Sequence, residues 1–133
     1  SAGLRITISL NSWSVMKENL LLGIGTGDFP NEYRKINQIN TPHLPATTNP
    51  HNMYTLIGMQ LGLVGLISMF SIFYLQIKRS LVTSNQFIRD VGLVLPILFL
   101  VIMWSDSYLL GHYTTLLFVF FSSFIHKDFD KIE

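Results

Sequence analysis

Three side chains, His51, Asp106 and Arg5, combine reactive type with suggestive placement. His51 sits in Asn49-Pro50-His51-Asn52, just ahead of a long apolar stretch. Asn is a favoured helix cap and Pro a favoured first helical residue. The spacing therefore predicts Asn49 as a cap and His51 in the first helical turn. Free N–H groups and the positive dipole end attract anions there. The same field disfavours a charged imidazole, so His51 reads as a neutral proton acceptor. Asp106 is the one acid between Asp90 and Asp128, at the end of apolar stretches where an ionisable group is a functional candidate. Arg5 carries the planar fork that suits phosphate groups. Plainer roles stay open for each: an interfacial histidine, a solvated turn, a headgroup-contacting arginine. His112 and His43 are weaker candidates, and four histidines in separate segments give no metal-binding spacing.

These residues need elements to hold them. Met53 to Ile77 holds no charge over twenty-five residues, about 37 Å as a helix against about 30 Å of hydrocarbon. Val91 to Trp104, with Pro96 inside, and Tyr108 to Ile125 are further apolar stretches. The expected fold is an all-α membrane protein. A partly helical outer loop over 1–52 precedes three transmembrane helices over 53–133, at about 53–77, 89–107 and 108–126, and a short tail. Lys78, Arg79 and Arg89 between the first two spans, with Lys127 and Lys131 after the third, put 78–90 and the tail on the cytoplasmic side. Residues 1–52 and 105–112 then lie outside, so His51 and Asp106 share one aqueous mouth. Tyr54, Trp104, Tyr108 and Tyr113 mark that boundary as an aromatic belt.

In the outer half, Ile6, Leu10, Trp13 and Leu20 recur at helical spacing and predict an amphipathic helix against the membrane or bundle. Residues 30–52 hold four of the five prolines and read as a folded loop with a short helix over 30–38. Gly23-Ile24-Gly25-Thr26-Gly27 has the wrong spacing for a dinucleotide fingerprint and reads as a tight turn against other backbone. Gly58, Gly62 and Gly65 fall on one face of the first span, a surface for close helix packing within a bundle.

Composition agrees with a membrane setting. Residues are 49% apolar and only 13% charged, against about 25% in a typical soluble domain. The mean hydropathy is +0.40. A net charge of +1 gives no field for nucleic acid, and the absence of cysteine excludes disulfides and thiolate sites in this chain.

Arg5, Trp13, Gly23-Ile-Gly-Thr-Gly-Asp-Phe29, Pro50-His51-Asn52-Met-Tyr54 and Gly62-Leu-Val-Gly65-Leu-Ile, in that order, resemble the O-antigen ligase and polymerase family over roughly residues 3 to 110. The resemblance implies the C-terminal portion of a longer, multi-pass protein of the bacterial inner membrane, completed by upstream helices. It implies metal-independent glycosyl transfer on the periplasmic side, with no cofactor. The donor would be a polyprenyl-diphosphate-linked glycan and the acceptor a sugar hydroxyl, on lipid A–core for a ligase or on another glycan for a polymerase. His51 would be the general base, Arg5 the cation for the diphosphate and Asp106 an acid at the same mouth. Asn52, Tyr54 and His112 are grouped with them as substrate-binding. A non-catalytic lipid-glycan carrier or a membrane assembly subunit is the reading from another class.

Overall fold

The computed structural model describes residues 2–126. Its described residues form five α-helices and no strand: α1 Ala2–Glu18, α2 Phe29–Asn40, α3 Met53–Val82, α4 Gln86–Ile102 and α5 His112–Ile125. A single 3-10 turn, Tyr108–Leu110, leads into α5. The all-helical expectation holds, and the short helix expected over 30–38 is α2. Pro30 in its first turn supplies a fixed φ and Glu32 complements its dipole.

By length and composition one described helix, α3, is long and apolar enough to cross a membrane. It is not a straight rod. Gly62 sits at φ 63, ψ −154, outside helical space, and divides α3 into arms 53–61 and 63–82. The two bonds that an intact helix would make there, Leu63 N–H to Met59 O and Val64 N–H to Gln60 O, are replaced. Leu63 N–H donates to Leu20 O (2.8 Å) and Val64 N–H to Leu21 O (3.2 Å). In return Ile24 N–H donates to Met59 O (2.9 Å) and Gly25 N–H to Gln60 O (3.0 Å).

The break folds α3 back on itself. Tyr54 and Phe70 lie eight residues to either side of Gly62, so a straight helix would hold them about 24 Å apart. Their rings stack at 5.8 Å. The bend explains how a thirty-residue helix matches the seventeen residues of α4 at both ends. Near one end Met53 N–H donates to Met103 O (2.9 Å). Near the other, Gly92 passes so close to Ser80 that a Cβ there would overlap its hydroxyl. Phe118 of α5 closes the bundle against Phe73 (5.5 Å) and Phe99 (4.9 Å). Buried Gln76 donates to Ser122 Oγ (2.8 Å).

Several expectations need correcting. The α3 glycines do pack closely, but not as one helix face. Gly58 lies against Met16 of α1, Gly62 against the backbone of Leu21 and Gly23, and Gly65 against Leu61 and Ile57 of its own helix. α1 forms where expected, but its buried face is Ile8, Asn11, Ser12 and Val15, while Ile6, Leu10 and Trp13 point outward. Asn11 explains the choice: its amide donates to Thr41 Oγ1 (3.0 Å) and accepts from Asn40 Nδ2 (3.1 Å), so the α1–α2 contact is partly polar. Burial raises the pKa of the Tyr33 phenol in this contact, and a hydrogen bond with Asn11 partly lowers it. The second and third apolar stretches are helical over Gln86–Ile102 and His112–Ile125, rather than over the expected 89–107 and 108–126. Residues 103–107 turn instead: Val101 O accepts Trp104 N–H (3.3 Å) and Ile102 O accepts Ser105 N–H (2.9 Å) in a tightened last turn, while Leu100 O is taken by Tyr54. Lys127 and Lys131 lie outside the described residues.

Gly23 and Gly27 both have positive φ, 69 and 87. A Cβ on Gly23 would overlap the Gln60 carbonyl, whereas nothing lies within 4 Å of one on Gly27. Gly27→Ala is therefore expected to cost only the left-handed backbone penalty, about 1–2 kcal/mol. Gly23→Ala should cost clearly more, because backbone must move on both sides of the break. Thermal unfolding of the two purified variants compares them; equal losses would contradict the Gly23–Gln60 contact.

Candidate functional site

The site grows from one asparagine. Asn49 Oδ1 accepts the backbone N–H of His51 (2.9 Å) and the hydroxyl of Ser107 (2.7 Å). Thr47 Oγ1 steadies Asn49 from the other side, donating to its carbonyl (2.8 Å) and accepting its N–H (3.2 Å). An Asn side chain that bonds backbone two residues on makes a tight turn. Here the turn holds His51 at φ 51, the one non-glycine positive φ among the described residues. Such a conformation costs about 1–3 kcal/mol and clusters at functional sites.

The helix cap falls three residues later than the sequence suggested. Asn52, not Asn49, caps α3, accepting Thr55 N–H (2.9 Å), and His51 lies outside the helix. Asn49 is unavailable as a cap because its oxygen already has two donors. Asn52 Nδ2 also donates to Trp104 O (3.0 Å), and Tyr54 Oη donates to Leu100 O (2.5 Å). Arg5 Nη1 donates to Ser105 O (2.9 Å). A helix leaves its last four carbonyls without internal partners. Around the end of α4, the carbonyls of Leu100, Met103, Trp104 and Ser105 are each taken by the start of α3 or by Arg5.

This clasp brings the two reactive groups together. His51 Nδ1 lies 3.2 Å from Asp106 Oδ1, across fifty-five residues of sequence. Asp106 Oδ1 also accepts Ser107 N–H (2.7 Å). Both side chains stay open to solvent, at 45% and 42% exposure. On the His51 side a groove of about 520 Å³ is lined by Arg5, His51, Asn52, Tyr54 and Trp104, among others. On the Asp106 side a hollow of about 360 Å³ runs past Asn49, Ser107, Gly111 and Thr114. The pair therefore stands between two openings.

Of the residues singled out in the sequence, Arg5, His51, Asn52, Tyr54 and Asp106 gather here. His112 does not: it opens α5, is exposed, and lines neither space. His43 is exposed in the loop after α2 and lines neither space. Arg5 spends one of its five N–H donors on a carbonyl, and Tyr54 spends its hydroxyl in the same way. Asn49, read in the sequence only as a helix cap, and Ser107 are the site residues that sequence reasoning missed. The Asn-x-His spacing is itself a turn signal, whereas nothing in the sequence marks Ser107.

The groove combines a guanidinium, an imidazole held by a carboxylate, amide and indole surfaces and an apolar wall of Ile6, Leu10 and Pro50. That set suits an anionic substrate with both polar and apolar parts. No curated protein and no solved structure matches the chain. The family model described as O-antigen ligase matches residues 1–70, which contain α1, α2, the glycine turn, the His51 segment and the break in α3. More than half of the sequence lies within that match, and the chain belongs to the O-antigen ligase family of membrane glycosyltransferase-like ligases.

Proposed function

We propose that this chain carries the acceptor-activating side of a periplasmic glycosyl transfer, from a polyprenyl-diphosphate-linked glycan to a sugar hydroxyl of lipid A–core. The observation that carries the reading is the His51–Asp106 pair, 3.2 Å apart at an open groove beside Arg5. A carboxylate only accepts, so Nδ1 facing it carries a proton, and Nε2 keeps the lone pair a base needs. His51 Nε2 takes the proton of the acceptor hydroxyl. The oxygen attacks the anomeric carbon from the side opposite the diphosphate. The bond to the diphosphate breaks, its electron pair leaves with the phosphate oxygen, and the anomeric centre inverts. Asp106 offsets the charge on the imidazolium, and the remaining donors of Arg5 offset the charge growing on the diphosphate. These steps use no metal or cofactor. Polymerisation onto another glycan would use the same chemistry with a different acceptor.

In this reading α3, α4 and α5 cross the inner membrane, with the loop 83–85 and the C-terminus inside. Lys78, Arg79 and Arg89 around that loop support the orientation. α4 and α5, with seventeen and fourteen residues, reach only about 25 and 21 Å, less than the hydrocarbon thickness. The mouth between them then sits below the outer surface, within reach of a lipid-borne diphosphate. A cytoplasm-dependent reporter fused after Glu133 should be active; activity of a periplasm-dependent reporter there would reverse the topology and remove the shared mouth.

Transfer between purified donor and acceptor, in EDTA, tests the chemistry on the full-length protein. His51→Ala should lower the rate by about 10²–10⁴. Asp106→Asn should also be strongly impaired, through the wrong tautomer. Arg5→Lys keeps the charge but loses the fork, and should fall as well. Near-normal transfer by His51→Ala rejects the base role, and wild-type loss in EDTA rejects the metal-free mechanism. Substrate binding without transfer in the wild type would favour a carrier.

Asn49 is a positioning residue in this scheme. Asn49→Leu removes the acceptor that holds His51, so kcat should drop by about tenfold or more, with KM changed little. Asn49→Ser keeps a weaker acceptor and should recover part of the loss. Steady-state kinetics with a pH profile check this; equal behaviour of the two variants would argue that the turn does not align His51.

A further inference from the structure

The glycine turn has one feature that a surface loop does not need. Leu20, Leu21 and Leu22, the three residues that lead into it, are 45%, 66% and 73% exposed. The chain keeps them against α3 through backbone bonds from Leu63 and Val64. Beside them on α3, Leu61, Leu63, Val64 and Ile67 are exposed too. The result is one continuous apolar surface contributed by the turn and by the helix.

The backbone around the break fixes where this segment lies along α3. Four polar groups are released where α3 opens at Gly62, and all four are taken by Leu20, Leu21, Ile24 and Gly25. Met59 and Gly62 are buried inside the protein, where backbone polar groups need protein partners in any solvent. In hydrocarbon each must find a protein partner, and non-helical backbone is tolerated only where that happens. The paired break meets that condition, and its hydrogen bonds tie Leu20–Gly25 to the depth of residues 59–64 of α3.

We infer that Leu20–Gly25 is a re-entrant segment whose leucines rest among the acyl chains of the outer leaflet, rather than part of the aqueous loop. This rests on the reading of α3 as a membrane span. On α1, Ile6, Leu10 and Trp13 are exposed as well. Lys17 lies over the Trp13 ring at 5.6 Å, as an amphipathic side chain does where it reaches back towards headgroups. The turn thus fixes the depth of α1, and through Arg5 the depth of the groove.

Site-specific fluorescence quenching tests the inference. The full-length protein, cleared of other cysteines, carries Leu21→Cys, Ile67→Cys or Asn31→Cys, labelled with a small fluorophore and placed in phospholipid vesicles. Leu21 and Asn31 are exposed, so neither change disturbs packing. Nitroxide on the lipid acyl chains should quench the labels at 21 and 67 several-fold more than the label at 31. Aqueous iodide should show the reverse order. Iodide quenching at 21 with acyl-chain quenching at 67 would overturn the inference and leave the span intact. Absence of acyl-chain quenching at both 21 and 67 would overturn the span and the inference together.

Discussion

Backbone hydrogen bonding at Gly62 is the constraint from which the rest of this structure follows. An α-helix that opens loses two internal bonds and exposes four polar groups. Here a second stretch of chain, Leu20–Gly25, supplies all four partners, and its approach requires glycine at both 23 and 62. Once α3 is bent, its first arm returns to the end of α4 instead of running on. Without the bend, Tyr54 could not meet Phe70 or reach the carbonyl of Leu100, and His51 would stand far from Asp106.

The second clasp depends on the first. The end of α4 leaves carbonyls without helical partners, and the start of α3 has donors to spare. Bringing the two ends together satisfies both, with Asn52 serving as cap on one side and donor on the other. Arg5 joins because α1 is anchored near its C-terminal end by the turn, so its N-terminal part lies along the same arm of α3. The site is in this sense a by-product of helix ends being completed. Its strained element, the left-handed His51, is held by a side chain committed to nothing else but Ser107.

Membership of the O-antigen ligase family gives this geometry its chemical context. The matched region contains the base candidate and the arginine, while the acid candidate lies beyond it, after α4. His51, Asp106 and Arg5 therefore come from two parts of the chain that only the fold unites. An outward apolar face on α1 and an apolar groove wall are compatible with a substrate that is itself part lipid.

The sequence by itself determined the all-helical class, the long apolar segment, the short helix begun by Pro30 and the ordered motifs that carry the family resemblance. Those are local or compositional properties: periodicity, propensity and apolar length act over a few residues at a time. The alternation of apolar stretches also led to the expectation that His51 and Asp106 share one side, but it is the bend at Gly62 that brings them within 3.2 Å. Tertiary structure alone decided the rest. The cap moved from Asn49 to Asn52 because the Asn49 oxygen found two donors, one of them on Ser107. The face of α1 turned because Asn11 found partners on α2. The apparent glycine packing face became a helix break because a turn some forty residues earlier replaced its bonds. In each case a polar group had more than one possible partner. Local sequence names the candidates, and only the folded chain decides which of them comes within hydrogen-bond distance.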